Sequence, residues 1–79
     1  MKIIVLGLAR GINEAELLKL FNTYGKVESC NIVLDKDTGA SKGFGFVEMP
    51  EKTEAVAAIK ALNNQKVSGS RMRVKFSAK

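Results

Sequence analysis

Apolar and polar positions alternate with two different periods along this chain, and the changes of period mark out strands and helices. Lys2 to Gly7 is a nearly continuous apolar run, as expected of a central strand. From Asn13 the spacing turns helical. Leu17, Leu20, Phe21 and Tyr24 recur at three- and four-residue steps as far as Gly25, which predicts the stop, while Asn13 with Glu16 three residues on predicts a capped start. From about Lys26 to Asp35 the period falls to two, with Cys30, Ile32 and Leu34 predicted inward and Ser29, Asn31 and Val33 outward; Val27 breaks that parity and predicts a bulge near the strand's start. The turn-rich stretch from Asp35 to Ser41 predicts a hairpin loop into a strand over Lys42 to Met49. After Pro50, Ala55, Ala58, Ile59 and Leu62 predict a second helix ending at Asn63-Asn64. Arg71 to Phe76 is the last strand, with Met72, Val74 and Phe76 inward.

The order strand, helix, strand, strand, helix, strand is that of an α+β fold, the ferredoxin-like βαββαβ sandwich, in which two helices cover one face of a four-stranded antiparallel sheet. The other face stays open to water. Parity assigns to it Lys2, Ile4, Leu6, Ser29, Asn31, Val33, Lys42, Phe44, Phe46, Glu48, Arg71, Arg73 and Lys75. The strand from Lys42 to Met49 is unusual in its facing. Phe44 and Phe46 share a side with Lys42 and Glu48, while Gly43, Gly45, Val47 and Met49 take the other, where the glycines leave room for a helix to pack closely. Were the two phenylalanines core residues of a two-sided sheet, Gly43 and Gly45 would leave the opposite face bare, so the aromatics are expected at the surface.

Composition sharpens this picture. The chain has 79 residues, enough for one domain with a thin core, and is read as a single domain over residues 1–79. Its 13 Lys and Arg against 8 Asp and Glu leave a formal charge of +5, which favours a polyanionic partner. On the open face Lys2, Lys42, Arg71, Arg73 and Lys75 are the cations and Glu48 the only acid, so the charge excess falls on the surface that exposes the phenylalanines. Arg71, Arg73 and Lys75 also suit the competing role of keeping an edge strand from aggregating. Cys30 is the single cysteine and there is no histidine, so an internal disulfide and the usual zinc chemistry are excluded, and Cys30 reads as a small buried hydrophobe. No catalytic residue, metal or cofactor is implied. The opening MKIIVLGLA is too short an apolar run for a signal peptide and no stretch reaches transmembrane length, so the chain is read as a cytoplasmic monomer with no membrane partner.

Lys42-Gly43-Phe44-Gly45-Phe46-Val47-Glu48-Met49 resembles the octapeptide signature of the RNA recognition motif family: a cation, Gly, an aromatic, Gly or Ala, an aromatic, an aliphatic, any residue, an aromatic. Only Met49 departs from it, at a position that faces the core, where methionine fills space adaptably. The family's hexapeptide, aliphatic, aromatic, aliphatic, Gly, Asn, Leu, is met by a degenerate copy, Ile3-Ile4-Val5-Leu6-Gly7-Leu8. The resemblance covers essentially the whole chain, and taken as a complete protein the chain resembles the compact single-domain members found in bacteria. It implies that Phe46 stacks a base, that Phe44 lies against sugar and that Lys42 meets a phosphate, with Ile4 offering only apolar contact where typical members stack a second base. Loss of one stacking platform weakens binding by roughly tenfold or more, so a weak to moderate binder is expected.

The leading function is therefore single-stranded RNA binding on the open face, with Lys2, Ile4, Asn31, Lys42, Phe44, Phe46, Arg71, Arg73 and Lys75 as the candidate contacts. Single-stranded DNA stays open as a second ligand, since Asn31, Ser29 and Ser77 are the candidates for sensing a 2′-hydroxyl and parity places none of them firmly. The alternative is a protein partner held on the apolar patch of Ile4, Leu6, Val33 and Phe46. A ferredoxin-like enzyme or metal carrier is disfavoured by the missing histidine, CxxC pair and nucleophile with its base. The gap between Gly7 and Gly11 resembles a phosphate loop only in spacing, since no GxGxxG or GKS/GKT follows. Met1 stands one residue before the first strand, so the simpler expectation is a complete one-domain protein.

Overall fold

The computed structural model describes residues 1–77. Its elements are β1 (Lys2–Leu6), α1 (Glu14–Asn22), β2 (Ser29–Leu34), β3 (Ser41–Glu48), α2 (Lys52–Leu62), β4 (Lys66–Val67), β5 (Ser70–Arg71) and β6 (Arg73–Phe76). The main sheet is antiparallel in the order β2-β3-β1-β6, and β4 and β5 form a separate small hairpin. This is the ferredoxin-like arrangement expected from the element order. None of the helices among the described residues is long and apolar enough to cross a membrane.

The helices begin and bury as their residues dictate. Asn13 caps α1: its side-chain oxygen accepts from the Glu16 amide at 2.9 Å, and the Glu16 carboxylate accepts in return from the Asn13 amide at 3.3 Å. Leu17 and Phe21 from α1, and Ala55, Ala58 and Leu62 from α2, meet Ile3, Val5, Val47, Met49, Met72 and Val74 in one core between helices and sheet. All of these are buried. Gly25 does not end α1, which stops at Asn22 with Thr23 as its C-cap. Its hydrogen side chain instead admits Glu54 from α2, whose carboxylate accepts from the Lys26 amide at 3.0 Å.

The glycines of β3 answer to backbone rather than to a helix. A Cβ at Gly45 would strike the Asn31 carbonyl oxygen on β2, and Gly43 takes a left-handed φ of +85° near the Leu8 carbonyl. Around Gly43 the pairing of β2 with β3 slips, jumping from Ile32 opposite Gly45 to Leu34 opposite Ser41. The irregularity predicted near Val27 is thus at the opposite end of β2, because Gly43 supplies the conformation it needs, while the strand itself begins only at Ser29.

Three further expectations are corrected. The last strand does not run unbroken from Arg71: the chain first turns through Ser68 and Gly69, both at positive φ (53° and 82°), and pairs Lys66 with Arg71. Two successive positive φ values make the tight turn whose twist matches a hairpin, and this draws Arg71 out of the main sheet. Leu34 and Phe76, predicted inward, are 55% and 39% exposed, since each is the last residue of its strand and lacks a covering neighbour beyond it. Cys30, predicted buried, is only half-buried; its thiol meets the Glu14 carbonyl oxygen at 3.6 Å.

Candidate nucleic-acid interface

Cross-strand register turns the open face into rows. The central row reads Asn31 on β2, Phe46 on β3, Ile4 on β1 and Lys75 on β6. On one side of it lies Phe44, Leu6 and Arg73; on the other Ser29, Glu48 and Lys2. Phe44 and Phe46, two residues apart on one strand, meet edge to face with ring centres 6.2 Å apart and planes at 84°. Both are half-buried, as are Ile4 and Leu6, whereas Lys2, Asn31, Arg73 and Lys75 are exposed. Phe46 therefore sits at the middle of an apolar floor with cations beyond it on β1 and β6.

The structure brings together Lys2, Ile4, Asn31, Phe44, Phe46, Arg73 and Lys75 as parity predicted. The Lys2 ammonium rests over the Phe46 ring, 5.0 Å from its centre, so this cation touches the central aromatic directly. Lys42 is exposed, but the slip at Gly43 means that alternation from Phe44 no longer places it; what places it is a shared hollow with Phe44, Arg10, Asp35, Thr38 and Ala40 at the end of the sheet. Arg71 is exposed on the small hairpin, outside the four-stranded sheet. Sequence reading passed over Arg10, because a residue in the loop after β1 has no strand parity to place it.

The degenerate hexapeptide has a structural logic of its own. Gly7 has φ +69°, and a Cβ there would run into the Arg71 carbonyl oxygen. The Ser70 hydroxyl donates to the Gly7 carbonyl at 2.8 Å, and the Leu8 amide donates to the Gly43 carbonyl, also at 2.8 Å. The end of β1 is thereby tied to both the small hairpin and the bulge of β3.

Residues 3–73 match the family model described as the RNA recognition motif. The chain belongs to the RNA recognition motif family. It is 40% identical over 76 residues, 96% of its length, to the glycine-rich RNA-binding protein 1 of Mycosarcoma maydis, covering 43% of that protein. A crystal structure of the RNA-binding protein PG1 superposes with a TM-score of 0.96 at 38% identity, covering all of this chain and 95% of that one. The Sxl-lethal protein/RNA complex matches with a TM-score of 0.94 at 32% identity, over 99% of this chain and 47% of that one. The chain spans between 20% and 43% of the length of the curated relatives it matches.

In the family's terms, Phe44 and Phe46 are the octapeptide aromatics and Ile4 occupies the hexapeptide's aromatic position. Cross-strand pairing puts Ile4 directly beside Phe46, so an aromatic at residue 4 would have adjoined the existing ring. Met49 is fully buried, which explains why the one departure in the octapeptide leaves the open face untouched.

Proposed function

We propose that this domain binds a short stretch of single-stranded RNA across the open face of its sheet. The observation that carries the reading is the central row, in which Phe46 lies between Asn31 and Ile4 with Lys75 at the far edge: a stacking surface, a base-edge amide and a phosphate partner in one line. A base stacks on Phe46, Phe44 contacts sugar, and Lys42, Arg73 and Lys75 neutralise phosphates. Lys2 starts on the Phe46 ring and moves to a phosphate when a base takes its place. Relatives named as RNA-binding proteins and a structural neighbour solved with RNA support this reading.

The ligand is an unpaired run of about two to four nucleotides, because pairing hides the faces that a flat sheet stacks. RNA is preferred over DNA only modestly. The domain acts as a monomeric binding module over residues 1–79, in a reducing cytoplasm that suits a single free thiol; Arg71, on the small hairpin, is left as an outlying cation. Salt dependence tests the proposal. With about three to five phosphate contacts, log K against log salt should fall with a slope near −2 to −3.5. A flat slope would sink the nucleic-acid reading and favour a protein partner on Ile4, Leu6, Val33 and Phe46, the reading to which the missing first-strand aromatic gives its weight.

A further inference from the structure

Glu48 is the one acid on the open face of the sheet, where Lys2, Arg73 and Lys75 are its cations. It stands opposite Lys2 in the pairing of β1 with β3, a position where an ion pair is the ordinary outcome. The Lys2 ammonium is instead drawn over the Phe46 ring, and in the complex proposed above it passes from the ring to a phosphate rather than to Glu48. Among the described residues, the hydrogen bond found for the Glu48 carboxylate is one long contact from the Ser29 hydroxyl at 3.4 Å. Glu48 also lies two residues from Phe46 on the same side of β3, a separation of about 7 Å along the strand. A base stacked on Phe46 projects its edge over roughly that distance.

Building on the RNA-binding reading above, we infer that Glu48 selects the base stacked on Phe46 and that the base is guanine. A carboxylate accepts hydrogen bonds and donates none, and it repels phosphate, so only a base edge rich in donors gains from it. Uracil sets its N3–H between two carbonyl oxygens. Adenine and cytosine each offer an amino group beside an acceptor nitrogen. Guanine alone presents two adjacent donors, N1–H and the 2-amino group, which match the two carboxylate oxygens. Asn31, on the other side of Phe46 in the central row, has both a donor and an acceptor and so leaves this asymmetry to Glu48.

The test uses inosine, which keeps N1–H and lacks the 2-amino group. Hexauridines carrying a single guanosine or inosine at each position in turn are measured against the wild-type domain and Glu48→Gln, a variant that keeps the length of the side chain and an acceptor for Ser29. In the wild type, guanosine at the best position should bind about tenfold more tightly than inosine, and Glu48→Gln should close most of that gap. Affinity for the all-uridine hexamer should hold or rise in Glu48→Gln, because a charge that repels phosphate is gone. An unchanged guanosine-to-inosine ratio, no guanosine preference in the wild type, or an equal loss on every hexamer would each overturn the assignment while leaving RNA binding intact. Absence of binding to all hexamers would overturn the RNA reading and this inference with it.

Discussion

Phe46 and Val47 are consecutive residues of β3, yet Val47 is wholly buried under the helices while Phe46 lies half-open on the far side of the sheet. The same contrast separates Glu48 from Met49, which is also fully buried. One strand thus contributes alternate residues to the core and to the candidate interface, and substitutions on its two sides should have separable consequences. Removing apolar volume from the buried side costs folding free energy. Removing it from the open side costs binding.

The largest expected effect tests that separation directly. Met49→Ala leaves a cavity in the core and should destabilise the domain by about 2–5 kcal/mol, a drop of roughly 4–8 °C in Tm for each kcal/mol in a domain of this size. Phe46→Ala should leave Tm nearly unchanged and weaken RNA binding by about 1–3 kcal/mol. Thermal melts and a binding isotherm on both variants decide it, and a comparable fall in Tm for Phe46→Ala would erase the distinction between the two sides.

Next in size is the glycine between the aromatics. Gly45→Ala pushes a methyl group against the β2 backbone at Asn31 and should cost about 1–3 kcal/mol in urea denaturation. Gly11→Ala, where nothing lies within 4 Å, serves as the control and should be close to neutral. Equal effects at the two glycines would mean that close backbone approach is not what requires Gly45.

On the open side, Ile4→Phe sharpens the comparison by adding a ring beside Phe46. RNA should bind up to about tenfold more tightly, with little change in stability. A loss of affinity would instead indicate that Ile4 serves a protein partner.

Cys30 belongs to neither extreme and should give the smallest effect. Burial first, and the Glu14 carboxylate second, push its thiol up from an ordinary value near 9.0 to about 11. The folded state therefore holds this proton more tightly than the unfolded chain. Its contribution is complete below about pH 9 and is lost as the pH rises through about 11. Urea midpoints of the wild type and Cys30→Ala should differ most at neutral pH and converge across that window; a constant difference would contradict the raised value.

Particular elements show how much of the site was legible in advance. Asn13 and Glu16 announced α1 because capping depends on residues three apart, and the facing of Phe44 and Phe46 followed from alternation within one strand. Ser68-Gly69 is a turn signal by composition, but its flanking strands are only two residues long and leave too little pattern to read. Lys42 was identified correctly as exposed, though for a reason that the bulge at Gly43 removed.

By itself, then, the sequence determined the order of the two helices and the four main strands, the side of the sheet that the helices cover and the exposure of the two phenylalanines, since period and cap chemistry act over a few neighbouring residues. Only the tertiary structure decided that Arg71 leaves the main sheet, that the bulge of β3 lies at Gly43, that the Lys2 ammonium rests on Phe46 and that the Glu48 carboxylate accepts from Ser29. Each of these depends on which residue of another strand lies opposite, and that register is set by closure of the whole sheet over its core.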